Sequence, residues 1–172
     1  MDILAKRHPS LLKGDYPAGV IWQQAKDYCQ WLGKKSGKKI DLPTEAQWEF
    51  AARGGIYSKG FIYSGSNNLD EVGCYIDNSY DKTLPVKSKL SNELGLFDMS
   101  GNVWEWCQDW YGKYDHNFPV DPIGPNSGLF RVFRGGSWSR PNGDCRNAYR
   151  CSGDPKLSRS THGFRLALKL NK

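Results

Sequence analysis

Apolar positions recur with two different periods along the chain, and the period changes part way. Trp22, Ala25, Cys29 and Leu32 stand at i, i+3, i+7 and i+10, with Gln23, Gln24, Lys26 and Asp27 between them. That spacing predicts an amphipathic helix over 21–32, with Gly33 as its stop. Pro43-Thr44-Glu45-Ala46-Gln47 places Thr44 as N-cap and Gln47 three residues on, a capping box. Trp48, Ala51 and Ala52 form the apolar stripe of this second helix, expected over 44–53, and Gly54-Gly55 ends it. Ahead of both, residues 1–19 read as an extended lead-in broken by Pro9, Gly14, Pro17 and Gly19.

Downstream the period becomes 2. Val103, Glu105 and Cys107 alternate with Trp104 and Trp106, which predicts a strand over 103–107 with two Trp on one face, a core signal. Trp138 is assigned to the core as well. A second strand is expected over 130–134. A third is expected over 164–170, where Phe164, Leu166, Leu168 and Leu170 alternate with Arg165, Ala167, Lys169 and Asn171. Residues 55–95 are turn-rich, with Leu84-Pro85-Val86 as a short edge strand. Ser139 to His162 has almost no periodicity and is held between Arg134-Gly135-Gly136-Ser137-Trp138 and Gly163-Phe164-Arg165. A long irregular connection between regular strands is a common place for function. Helices come early and strands late, with no repeat and no linker. The chain therefore reads as one α+β domain over 1–172.

Composition narrows the function classes. Seven Trp, nine Tyr and 19 Gly point away from a helical bundle and toward a loop-rich domain with aromatic packing. The net charge is +6. Lys34, Lys35, Lys38 and Lys39 supply much of it beside a helix and read as a solvated face. No groove-reading motif accompanies them, so nucleic acid is not an expected partner. Met1 to Lys13 lacks the apolar core of a signal peptide and no 18-residue apolar run exists, so the chain is expected to be soluble, with its compartment open. Five cysteines show no CxxC spacing, and His8, His116 and His162 are isolated, so no zinc pattern is present. Glu105, set between two Trp, reads as a hydrogen-bonded structural carboxylate ahead of a catalytic one.

Three stretches carry a resemblance. They are Leu42-Pro43-Thr44-Glu45-Ala46-Gln47-Trp48-Glu49-Phe50-Ala51-Ala52-Arg53-Gly54, then Gly95-Leu96-Phe97-Asp98-Met99-Ser100-Gly101-Asn102-Val103-Trp104-Glu105-Trp106, then Arg134 to Trp138 with Gly163-Phe164-Arg165. In this order, over residues 17–168, the chain resembles the formylglycine-generating-enzyme (sulfatase-modifying factor) superfamily. The resemblance implies a C-type-lectin-like fold: two helices and a twisted antiparallel sheet with much irregular structure. Members usually carry a further segment before the first helix, so an N-terminally short form, natural or truncated, is expected.

The resemblance also implies two kinds of chemistry. The family's enzymes oxidise a substrate cysteine with copper held by two thiolates, a soft pair suited to Cu(I). Matched to the family's motif, the first thiolate position is Arg140 and the second is Cys145. A guanidinium cannot ligate copper, so copper is not expected, and Cys145 would be the catalytic residue if the chain were an enzyme. Other members use the scaffold for binding, among them the variable proteins of diversity-generating retroelements. Their tract between the Arg-Gly-Gly-Ser-Trp and Gly-Phe-Arg motifs is mutated at adenines, mostly in Asn codons that can yield neither Lys, Glu, Gln, Met nor Trp. On this chain's composition, a tract the size of Ser139–His162 should hold roughly five of those types. It holds one, Lys156.

The first expectation is therefore a non-catalytic binding module with no required cofactor and a protein or other macromolecule as ligand. Its contact residues would be Ser139, Arg140, Pro141, Tyr149, Ser152, Ser160, Thr161 and His162, with Tyr149 and Arg140 foremost. The alternatives are a copper-dependent oxidase and a degenerate accessory domain. Some members bind calcium near the second motif, where Asp98 and Asn102 are the candidate ligands; as residues, both also suit plain turns. Cys107 and Cys145 stand where many binding-type members carry Cys, and they either pair or pack.

Overall fold

The computed structural model describes residues 15–114 and 120–169. Residues 1–14 of the lead-in expected over 1–19, together with His8, His116 and Leu170, lie outside them.

Helix α1 spans Trp22–Ser36. The backbone N–H of Ile21 donates to Gln24 Oε1 (3.1 Å), satisfying one open donor of the first turn. The helix passes through Gly33 and stops one turn later than expected, at a left-handed Gly37 with φ 70°. A single helical Gly costs only about 1 kcal/mol relative to Ala, and Lys34 and Lys35 in the last turn suit the negative end of the helix dipole. Helix α2 spans Glu45–Ala52. Its capping box forms as read: Gln47 N–H donates to Thr44 Oγ1 (3.1 Å), and Thr44 N–H donates to Gln47 Oε1 (3.0 Å). A one-turn helix α3, Leu69–Val72, was not expected.

The eight strands among the described residues follow the two-period reading only in part. They are β1 (Ile40–Asp41), β2 (Gly73–Cys74), β3 (Ser100–Gly101), β4 (Trp104–Trp110), β5 (Arg131–Arg134), β6 (Arg150–Gly153), β7 (His162–Gly163) and β8 (Ala167–Leu168). The main sheet has the order β6-β5-β4-β7. It is antiparallel across β6, β5 and β4, and β7 joins β4 parallel, with Trp104 opposite His162. Two small pairs, β1-β8 and β2-β3, complete the ladder. This is the α+β, C-type-lectin-like arrangement expected, with a mixed and curled sheet.

Strand β4 is buried on both faces. Trp104 and Trp106 pack with Phe133, Val20 and Leu42 against Ala25 and Cys29 of α1. Cys107, with Val132 of β5, packs on the other side against Trp48 and Ala52 of α2. The sheet is thus a middle layer between two helices, with aromatic area as its main stabiliser.

Four expectations are corrected. The strand expected over 164–170 is reduced to β8 at Ala167–Leu168, and β7, just before that stretch, belongs to a different sheet. Arg165 lies between them and turns inward to Glu105 (2.5 and 2.7 Å) and to the carbonyl of Phe97 (3.0 Å), while Leu166 and Leu168 are exposed. An ion pair, not the leucine alternation, sets which way this chain faces. Leu84-Pro85-Val86 is no strand, because the side chain of Asn102 takes both the N–H and the carbonyl of Leu84 (3.2 Å each). Ser139–His162 is not one loop: it holds a 3-10 turn (Asn142–Cys145) and all of β6. Trp138 is only partly buried. Gly135 and Gly136, both left-handed (φ 95° and 79°), turn the chain out of β5 just before it.

Candidate functional site

The three motifs meet inside the protein and are spent on one another. Arg134 is 0% exposed and donates to four acceptors. Two are carboxylates of α2, Glu45 Oε1 (2.8 Å) and Glu49 Oε2 (2.7 Å). The other two are carbonyls of Tyr149 (2.8 Å) and Asn147 (2.6 Å) within the irregular tract. Arg150 closes the same cluster with two bonds to Glu45 (2.7 Å each). Glu105 accepts from Arg165 and from Trp48 Nε1 (2.6 Å), so it is a structural carboxylate, as read. Such pairs are weak evidence of stability in themselves, but removing one partner strands the other in a dry interior. Their role here is to pin the ends and middle of the tract to a rigid frame.

Over that frame the tract forms a cleft of about 630 Å³, within the usual range for ligand sites. Trp104 and Trp106 of β4 and Phe133 of β5 form its floor. Six of the eight expected contact residues line it: Ser139, Arg140, Ser152, Ser160, Thr161 and His162. Pro141 and Tyr149 do not. Pro141 is exposed beside the 3-10 turn, and the ring of Tyr149 packs inward, 6.1 Å from that of Trp104. Cys151, Asp154, Leu157 and Arg159 also line the cleft and were not among the expected contacts. Nothing in the spacing distinguishes them from their neighbours; only the β6 pairing brings them to the same side.

His162 is the most constrained of the lining residues. Its ring lies edge-on to Phe133 (4.6 Å between centroids) and against Trp106 (5.3 Å). Burial, helped by the charge of Arg159, pushes its pKa down to about 4, so it is neutral at physiological pH. Its Nδ1 shares a hydrogen bond with Thr161 Oγ1 (3.0 Å). Arg140 donates from Nε to Asp144 Oδ2 (2.7 Å) and stays half-exposed.

The residues present do not fit copper. A Cu(I) site of this kind needs two thiolates. Arg140 occupies the first position and is tied to Asp144. Cys145 is fully buried, and burial above all pushes its thiol up to about 12. Cys151 lines the cleft, but burial pushes its thiol up also. Cys107 and Cys145 do not pair; they pack in separate clusters, and all five cysteines are free. The calcium candidates serve the protein's own backbone. Asp98 and Asn102 are left-handed turn residues (φ 57° and 64°), Asn102 bracing Leu84 and Asp98 Oδ2 accepting the N–H of Lys87 (2.8 Å). Among the described residues, no group of three or more His, Cys, Asp or Glu is placed to hold a metal ion. Nor is any described helix long and apolar enough to cross a membrane.

Known proteins match this frame. The chain is 42% identical over 153 residues to serine/threonine-protein kinase Pkn1 of Chlamydia trachomatis serovar L2, covering 87% of this chain and 23% of that one. It is 40% identical over 167 residues to the formylglycine-generating enzyme of Streptomyces coelicolor, covering 86% of this chain and 51% of the enzyme. The chain thus spans about a quarter of the first relative's length and about half of the second's. Among solved structures, Treponema denticola variable protein 1 superposes with a TM-score of 0.83 at 32% identity, over 95% of this chain and 78% of that one. With the sulfatase-modifying factor enzyme 1-like domain matching residues 10–170, the chain belongs to that family.

Proposed function

We propose that this chain is a non-catalytic binding module whose ligand surface is the cleft built by residues 139–162. One observation carries the reading. The motif side chains Glu45, Glu49, Glu105, Arg134 and Arg165 are committed to one another, while the cleft walls are side chains of the tract between the motifs, set over a floor of Trp104, Trp106 and Phe133. Changes at the cleft rim therefore leave the frame intact, which is what a surface of adjustable specificity requires. The similarity to Treponema denticola variable protein 1 and the shortage of Lys, Glu, Gln, Met and Trp in the tract support the same reading.

A copper-dependent oxidase is the second reading. The similarity to the Streptomyces coelicolor enzyme and the presence of Cys145 favour it. The buried, protonated state of Cys145 and the guanidinium of Arg140 weigh against it.

One paired experiment separates them. A random peptide display library is selected on the wild type and on Ser152→Trp, whose indole fills the cleft from β6. Peptides that bind the wild type and not the variant are the expected result; their absence overturns the binding reading. In parallel, a cysteine peptide is incubated with Cu(I) and oxygen. Turnover that Cys145→Ser abolishes would establish the oxidase instead.

A further inference from the structure

The cleft's lining is chemically lopsided. Among the described residues its lining holds two cations, Arg140 and Arg159, and one carboxylate, Asp154, while Asp144 pairs with Arg140 from outside the lining. Arg140 spends Nε on Asp144, which leaves the two terminal nitrogens of its fork with no partner among the described residues. Arg159 is exposed and has no salt bridge among the described residues. Asp154 already accepts the N–H of Lys156 (2.9 Å). Beside His162 and the Cys151 thiol, the rest of the polar lining is hydroxyl: Ser139, Ser152, Ser160 and Thr161.

A second observation points to a ligand. His162 is only 8% exposed, yet it lines the cleft. Its Nδ1 is held by Thr161, and its Nε2 has no hydrogen bond among the described residues. Nε2 is not itself enclosed; it opens onto the cleft, where a ligand atom can reach it. When Thr161 donates to Nδ1, Nε2 carries the proton and becomes a third donor beside the two guanidinium forks. The floor bears on ligand class too. Trp104 and Trp106 are 4% and 1% exposed, so they offer rim edges and no open ring face on which a sugar or a base could stack.

Resting on the binding reading above, we infer that the cleft takes carboxylate side chains presented by an acidic segment of a protein partner, held by Arg140, Arg159 and His162. A guanidinium fork matches a carboxylate with two parallel bonds, and surrounding hydroxyls complete its remaining lone pairs. A volume of about 630 Å³ admits several side chains of an extended segment, more than one small ion would fill.

The test is fluorescence anisotropy with a labelled octapeptide alternating Asp and Gly. The comparison probes are a matched Lys-Gly peptide, a short single-stranded oligonucleotide, free succinate and inorganic phosphate. Binding of the acidic peptide is expected, weakening with salt and falling about tenfold in each of Arg140→Ser and Arg159→Ser, the usual size for losing one charge-assisted bond. Arg159→Lys should recover part of that loss, and the melting temperatures of the Arg159 variants should match the wild type. Three results overturn the inference: preference for the oligonucleotide, full competition by succinate or phosphate at concentrations equal to the peptide, or indifference to both arginine substitutions. Peptides from the display selection should also be rich in Asp and Glu. Cleft-dependent peptides without that enrichment would overturn this inference and leave the binding module standing.

Discussion

Replacing Asp109 with Asn should raise the stability of the chain at neutral pH and leave it unchanged in acid. Asp109, on β4, is 4% exposed, and its Oδ2 accepts the backbone N–H of Glu45 at the start of α2 (2.8 Å). Burial pushes the carboxyl up, the Glu45 N–H pulls it down, and the Glu45 charge pushes it up again; the net movement is from 3.8 to about 6. An acid whose pKa is higher in the fold keeps its proton longer there than in the unfolded chain. Between about pH 4 and 6 the native state binds more protons, so stability falls as pH rises. A shift of about two units corresponds to about 3 kcal/mol. Asn keeps an oxygen for the Glu45 N–H and never ionises, so the variant escapes that loss. The stability difference between variant and wild type should be near zero at about pH 4 and grow to about 3 kcal/mol above pH 6. Urea denaturation at a series of pH values measures it. The difference must be read, not the wild-type curve. His162, whose pKa falls from 6.5 to about 4 on folding, contributes a slope of opposite sign over nearly the same window. A difference that is flat with pH, or that shrinks as pH rises, would refute the argument that burial holds Asp109 protonated.

The remaining predictions concern the frame and the cleft. His162→Gln removes a base that is neutral in the fold, so its disadvantage at neutral pH should shrink as pH falls from about 6.5 to 4, by up to about 3 kcal/mol in the same denaturation series. Arg134→Met takes one of two arginine partners from each of Glu45, which keeps Arg150, and Glu49, which keeps Arg53, and leaves two buried tract carbonyls without that donor, so it should cost about 3 kcal/mol; Arg134→Lys, with no fork to reach four acceptors, should also be destabilised in a thermal melt. Trp104→Ala opens a cavity between β4, β5 and α1 and should cost about 3–5 kcal/mol; a loss under about 1 kcal/mol would mean the ring is not packed as described. Arg159→Ser combined with Ser160→Asn, both at exposed rim positions, should shift stability by no more than about 0.5 kcal/mol.

Local signals carried the helices and the central strand. The capping box of Thr44 and Gln47 involves residues three apart, so its geometry is settled before any tertiary contact forms. The α1 stripe and the Val103–Cys107 alternation likewise depend on one element's own period. The motifs marked the frame and the bounds of the tract, and Arg140 in the first thiolate position argued against copper from the residues alone. Reading failed where a distant partner decides. Arg165 overrides the leucine alternation because Glu105, sixty positions away along the chain, draws its guanidinium inward. Leu84 is kept from a strand by an amide eighteen residues on.

The candidate site divides the same way. Its position between two motifs was legible, because the flanking residues name themselves. Its shape was not. Tyr149 belongs to the packing and His162 to the cleft wall only because β6 pairs with β5 and β7 with β4 in one register, with Phe133 opposite Cys151 and Trp104 opposite His162. A strand's two faces look alike in composition when one is packed and the other forms a polar cleft over aromatic rings. The sequence by itself determined the elements whose hydrogen bonds and periods are local. Tertiary structure alone decided which side chains share a surface, because register between strands is set by contacts among residues tens of positions apart.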